Sequence, residues 1–157
     1  MREIRGTFDA RGRRFAVVAS QFNEVVTSKL LEGAVACLRA HGIAEEDLVV
    51  AWVPGAFELA FAARRLAASG LYDAVVCLGA VIRGETAHFD YVAGEAARGI
   101  ADVAAATGLP VMFGVLTTDS LEQALDRAGG KHGNKGWDAA MGAMRMASVL
   151  DQLPEKD

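Results

Sequence analysis

Apolar positions along this chain alternate between two periods. Short continuous apolar runs lie at 14–20, 48–53, 73–78 and 111–116, each of strand length. Between them the apolar residues recur at helical spacing. Leu30, Leu31, Ala34, Val35 and Leu38 follow the first run, with Gly42 as a stop. After the second, a break at Pro54-Gly55 opens a helix over about 57–68, with Leu59, Ala62, Ala63 and Leu66 on one face and Gly70 at its end. An Ala-rich helix over 88–107 follows the third run and is closed by Gly108-Leu109-Pro110. After the fourth, Asp119 reads as the cap of a short helix, with Glu122 three residues on as in a capping box. Leu121, Ala124, Leu125 and Ala128 form its apolar face, and Gly129-Gly130 stops it. A basic glycine-rich link, Lys131-His132-Gly133-Asn134-Lys135-Gly136, leads to a last helix on which Trp137, Ala140, Met141, Met144 and Ala147 share a face.

Continuous apolar strands alternating with helices predict an α/β fold: a three-layer α/β/α sandwich around a four-stranded parallel sheet. Right-handed crossovers put every strand's C-terminal end on one edge, where such sheets bind ligands. The loops that converge there are 21–23, 54–58, 80–88 and 113–119. Residues 1–13 read as a polar arm, either frayed or adding a strand to a neighbour's sheet, and the residues after Leu153 as a loose tail (154–157). No linker or internal repeat divides the chain, so 1–157 is expected to be one domain.

Composition narrows the chemistry. With 52% hydrophobic and 23% charged residues the chain is expected to be globular, and its few aromatics and many small residues imply close helix-on-sheet packing. A net charge of −4 leaves no footprint for nucleic acid or an anionic membrane, so any phosphate affinity must be local. Cys37 and Cys77 sit in apolar patterns and read as buried small hydrophobes. No signal-peptide core or membrane-length run is visible, and a cytoplasmic location is the expectation. Several α/β chemistries fail on motif: there is no Gly-x-Gly-x-x-Gly, no Walker spacing, no Gly-x-Ser-x-Gly, no acidic cluster at the strand ends and no His pair at metal spacing.

The converging loops carry the remaining candidates. Phe22 is a loop plug or a stacking surface for a flat heterocycle. Glu58, in a first helical turn, is a dipole partner or a ligand for sugar-like hydroxyls. His88 is a partly exposed helix N-terminal residue or a proton shuttle. Arg127 is a favourable C-terminal charge or a bidentate phosphate clamp, and Lys135 a solvated lysine or its helper. Both follow the fourth strand and could reach the same edge or a neighbouring subunit's site. The turn after the third strand, with Arg83-Gly84 and a helix start, suits an anion.

Five blocks in order resemble the lumazine synthase family: Gln21-Phe22-Asn23, Val53-Pro54-Gly55-Ala56-Phe57-Glu58-Leu59, Gly79-Ala80-Val81-Ile82-Arg83-Gly84-Glu85-Thr86-Ala87-His88-Phe89-Asp90-Tyr91, Gly114-Val115-Leu116-Thr117-Thr118-Asp119, and Arg127-Ala128-Gly129 with Gly133-Asn134-Lys135-Gly136. The resemblance runs from about Phe15 to Leu150. It implies a flavodoxin-like fold and the penultimate step of riboflavin biosynthesis. In that step 5-amino-6-(D-ribitylamino)uracil condenses with 3,4-dihydroxy-2-butanone 4-phosphate to give 6,7-dimethyl-8-ribityllumazine, without metal or organic cofactor. By the same resemblance Phe22 would stack on the pyrimidine, and Asn23, Gly55, Ala56, Phe57 and Glu58 would hold the ribityl chain. Ala80, Val81 and Ile82 would meet the heterocycle through the backbone. Glu85 and Thr86 would receive the phosphate, chiefly through main-chain N–H groups, with Arg127 clamping it and Lys135 assisting. Phe113 would close the ring pocket from an adjacent subunit, and His88 would be the catalytic proton shuttle. The family builds pentamers with sites between subunits, often packed into 60-subunit shells. The short link before the last helix favours the shell, with riboflavin synthase as a candidate partner. The rival readings are a non-catalytic flavin binder, an archaeal riboflavin synthase and a shell protein with a vestigial site.

Overall fold

The computed structural model describes residues 1–155; of the expected loose tail, residues 156 and 157 lie outside the described residues. The elements in chain order are β1 (Phe15–Ser20), α1 (Glu24–Ala40), β2 (Leu48–Val53), α2 (Leu59–Ala67), β3 (Ala74–Ile82), α3 (His88–Thr107), β4 (Val111–Thr118), α4 (Leu121–Asp126), β5 (Ala128–Gly130), β6 (Gly133–Asn134) and α5 (Lys135–Leu150). Four parallel strands form one sheet in the order β2-β1-β3-β4. This is the three-layer flavodoxin-like arrangement that the alternation of periods predicts.

Side chains of a strand alternate between faces, and here the alternation separates two cores. Phe15, Val17 and Ala19 of β1 pack with Leu30, Leu38 and Met144 from α1 and α5. Ala16 and Val18 pack with Leu59, Ala63 and Ile100 from α2 and α3. Both faces of β1 are fully buried. Burying a Leu or Phe of this kind is worth about 1.5–3 kcal/mol relative to exposure, so the central strands hold the sheet. The α1–α5 contact is close because residue 136 is glycine: a Cβ there would overlap the Leu30 carbonyl.

Coverage of both faces, as expected for a parallel sheet, stops at the edges. In β2, Val49 and Trp52 are 38% and 40% exposed, and Phe113 in β4 is 45% exposed. The edge strands have a neighbour on one side only, and the helices lie over the central strands.

Four local expectations change. Ser20, Val53, Ile82 and Thr118 end the strands, so β3 and β4 run past Leu78 and Leu116. Gly79 sits inside β3, where a Cβ would lie 3.1 Å from both Leu59 and the Ser20 hydroxyl. The cap of α4 is Ser120, not Asp119: its hydroxyl accepts from the Gln123 N–H at 3.1 Å, and Gln123 Oε1 accepts from the Asp119 N–H at 2.9 Å. The glycine-rich link is an antiparallel hairpin, β5 with β6, with Gly129 and Gly133 at positive φ (103° and 80°). Asn134 then caps α5, accepting from the Gly136 and Trp137 N–H groups. On α5 the buried stripe is Gly136, Ala139, Ala140, Ala143, Met144 and Ala147, with Trp137 at its exposed margin.

The N-terminal arm contains no strand within 1–13. It lies on its own chain: the Thr7 N–H donates to the Ser148 hydroxyl at 3.1 Å, Gln152 donates to the Arg5 carbonyl at 3.0 Å, and the Ala10 N–H donates to the His41 carbonyl at 3.0 Å.

Candidate active site

Three loops at the C-terminal edge of the sheet close on one cleft. Beyond β1 and β2, the Gln21 N–H donates to the Val53 carbonyl at 2.8 Å and the Phe22 N–H to the Pro54 carbonyl at 2.9 Å. These bonds continue the pairing past the strands and set Phe22, 71% exposed, beside Pro54-Gly55.

Asn23 is the one non-glycine at positive φ (59°) among the described residues. Asparagine tolerates this conformation better than most residues. Its carbonyl accepts from the Val26 and Thr27 N–H groups and starts α1, while its side-chain amide donates to the Ala80 carbonyl at 2.9 Å. The loop after β1 is thereby tied to β3 at the floor of the cleft. Backbone held in a sparsely populated region, with such a tether, is a mark of functional loops.

After β2 the chain makes a 3-10 turn, Ala56–Glu58, before α2. Beyond β3, residues 83–87 form an exposed loop. Thr86 Oγ1 accepts a long bond (3.4 Å) from the His88 N–H, and α3 begins at His88.

The cleft has a volume of about 760 Å³, within the usual size of small-molecule sites. Phe22, Asn23, Gly55, Ala56, Phe57, Glu58, Ala80, Val81, Ile82, Thr86 and His88, all candidates from the sequence, line it together. Its walls are mostly aromatic and aliphatic, with a few polar groups: Asn23, Glu58, Thr86, His88 and Tyr91. Such a surface can hold a flat ring and hydrogen-bond a hydroxylated chain. Among the described residues, no lysine or arginine lines it.

The cleft also takes Pro54 and Gly84, which lie in loops expected at this edge, and Phe89, Tyr91 and Val92, to which the sequence assigned no role. A signal for two of them was present: Tyr91 and Val92 lie three and four residues after His88, so they share its helix face.

Four expected residues do not line this cleft. Glu85 is exposed in the loop between Gly84 and Thr86. Phe113 faces Cys77 across the β3–β4 pairing, five residues before Thr118. At strand rise that is about 17 Å from the sheet edge. Arg127 caps the C-terminus of α4 and donates to the Gln123 carbonyl at 2.9 Å. The Lys135 N–H donates to the Arg127 carbonyl at 2.8 Å, and the Lys135 ammonium lies 3.4 Å from Asp138. The β5–β6 hairpin thus holds the two cations' backbones side by side, away from the cleft of their own chain.

Burial pushes the Cys77 thiol up to about 12 and the Cys37 thiol to about 11, so neither is an activated nucleophile. Among the described residues no group of three or more His, Cys, Asp or Glu is placed to hold a metal ion. No helix among them is long and apolar enough to cross a membrane.

Comparison with known proteins bears on the same stretch of chain. The profile of the family described as 6,7-dimethyl-8-ribityllumazine synthase matches residues 12–151. A protein of Desulfatibacillum aliphaticivorans named 6,7-dimethyl-8-ribityllumazine synthase is 54% identical over 152 residues, covering 97% of this chain and 98% of the relative. A match of that extent includes every loop of the cleft together with the hairpin that carries Arg127 and Lys135. The chain therefore belongs to the 6,7-dimethyl-8-ribityllumazine synthase family, transferases of riboflavin biosynthesis.

Proposed function

We propose that this chain condenses 5-amino-6-(D-ribitylamino)uracil with 3,4-dihydroxy-2-butanone 4-phosphate to give 6,7-dimethyl-8-ribityllumazine, phosphate and water, the penultimate step of riboflavin biosynthesis. The observation that carries this reading is the single cleft in which Phe22, residues 55–58, residues 80–82, Thr86 and His88 meet. Phe22 stacks on the pyrimidine ring. Asn23, Gly55, Ala56, Phe57 and Glu58 hold the ribityl hydroxyls, and Ala80, Val81 and Ile82 meet the ring edge through the backbone. The loop N–H groups around Glu85 and Thr86 receive the phosphate beside the N-terminus of α3.

The amine adds to the butanone carbonyl and loses water to form an imine; phosphate then leaves and the ring closes with loss of a second water. His88, at the cleft wall, moves protons between these steps. Orientation of the two bound reactants supplies much of the acceleration. No metal or organic cofactor takes part.

The cleft offers no cation for the phosphate, and Arg127, Lys135 and Phe113 stand elsewhere on the chain. Their place is the cleft of an adjacent copy, in a homo-oligomer built from pentamers and closed into a shell. The exposed edge strands β2 and β4 are surfaces that such neighbours cover. The chain folds as one domain and works in the cytoplasm, with riboflavin synthase as a partner.

The test is direct. Purified protein, treated with chelator and mixed with the two substrates, forms the lumazine, read by its absorbance and fluorescence. A folded protein that makes no product under saturating substrates overturns the reading.

A further inference from the structure

We propose that Arg83 is a positioning residue for the phosphate-binding loop. It holds both ends of residues 83–87 and offsets the carboxylates of Asp90 and Asp119. The inference rests on the condensation proposed above.

Arg83 is the first residue after β3. Its N–H donates to the Thr118 carbonyl at 2.8 Å, adding a bond between the chain ends that leave β3 and β4. Its side chain then reaches three groups. Nε donates to Asp119 Oδ1 at 2.9 Å, Nη1 lies 3.7 Å from Asp90 Oδ1, and the guanidinium carbon stands 4.5 Å from the centroid of the Phe89 ring. Asp119 belongs to the β4–α4 turn, and Phe89 and Asp90 belong to the first turn of α3. One planar cation therefore connects the sheet edge, the turn after β4 and the start of the helix that carries His88.

Two consequences follow. Loop 83–87 starts at Arg83 and runs into the turn that Arg83 grips, so its ends are fixed relative to each other. Gly84, Glu85, Thr86 and Ala87 are all exposed and have few other restraints, so loss of the grip frees the loop. The second consequence is electrostatic. Glu85 lies in the loop proposed to take the phosphate and Asp90 and Asp119 lie at its ends; Arg83 pairs with the latter two, and without it both would add to the repulsion of a bound phosphate. Arginine suits this site because a planar fork can pair with carboxylates at its edge while its face lies on an aromatic ring; lysine supplies only the charge.

The experiment compares the wild type with Arg83→Ala, Arg83→Lys, Asp119→Asn and the double variant Arg83→Ala/Asp119→Asn. Arg83→Ala is expected to raise KM for the butanone phosphate about tenfold, the sum of two partly exposed ion pairs and one cation–π contact, with KM for the pyrimidine within about twofold. Arg83→Lys recovers only part of the phosphate KM, because charge returns without the grip. In the double variant the phosphate KM falls back towards wild type by more than Asp119→Asn alone lowers it in the wild-type background, a non-additivity expected only if Arg83 acts on Asp119. Hydrogen exchange of the amides of 84–90 gives a readout independent of turnover: it accelerates in both single variants of Arg83.

Equal changes in the two KM values, or unchanged exchange with unchanged KM, overturn the positioning role and leave the condensation standing. If Arg83→Ala does not fold, Arg83→Lys carries the same tests. A wild type that makes no product removes the reaction instead, and exchange then still decides whether Arg83 holds the loop.

Discussion

The loops after β1, β2 and β3 close on one cleft, whereas the residues after β4 that were expected beside them stay outside it. The first region is mostly apolar, carries Glu58 and His88, and among the described residues has no lysine or arginine on its walls. The second holds Arg127 and Lys135 at the two ends of a hairpin and Phe113 on an open strand face. Each lacks what the other offers. A ring slot without a counter-charge cannot hold a phosphorylated substrate well, and two cations away from any slot have nothing to clamp. The difference is what a site shared between copies of one chain would produce.

The sharpest way to break that comparison is complementation. On its own, His88→Ala is expected to lower kcat about a hundredfold. Arg127→Ala is expected to raise KM for the butanone phosphate by a similar factor and to leave that for the pyrimidine nearly unchanged. When the two variants are unfolded, mixed and refolded together, hybrid assemblies regain sites that pair an intact cleft with an intact Arg127. Activity well above either variant alone is the expected result. If both residues served the cleft of their own chain, mixing would restore nothing.

Stability distinguishes the two regions next. Leu59 is fully buried beneath the cleft, and Leu59→Ala should cost about 3 kcal/mol in chemical denaturation. Phe113 is 45% exposed, so Phe113→Ala should cost about 1 kcal/mol or less while weakening pyrimidine binding. A penalty at Phe113 as large as that at Leu59, with pyrimidine affinity intact, would make it a structural residue and remove it from the site.

The smallest effect concerns the tether at the cleft floor. Asn23→Ala loses the bond to the Ala80 carbonyl and keeps a positive φ that alanine disfavours. Asn23→Gly loses the bond but is at ease in that conformation. Unfolding midpoints should therefore place Asn23→Gly above Asn23→Ala by about 1 kcal/mol. The reverse order would mean that the φ of Asn23 carries no strain.

Local pattern was a good guide wherever one element's own period decided the outcome. The four apolar runs became the four parallel strands, and the helical spacing after each became a helix, because burial on both faces and on one stripe leaves different repeats in a sequence. The lining loops were legible for the same reason: parallel strands joined by right-handed crossovers must send their ends to one edge. Caps and ends were less legible. Asp119 and Ser120 are both good capping residues; the structure gives the cap to Ser120, while the Asp119 carboxylate pairs with Arg83. The third apolar run was read as ending at Leu78, whereas β3 continues through Gly79, which fits close beside Leu59, to Ile82.

Sequence alone thus determined the layers, the strand directions and the edge that bears the cleft, since these follow from periodicity and chain handedness. The motif blocks determined the family. Tertiary structure alone decided that residues 128–134 form a hairpin, that Arg127 and Lys135 stand away from their own chain's cleft, and that Arg83 grips both Asp90 and Asp119. Those are facts about distances between segments remote in the chain. They arise from how packed layers carry the loops, and no local spacing encodes them.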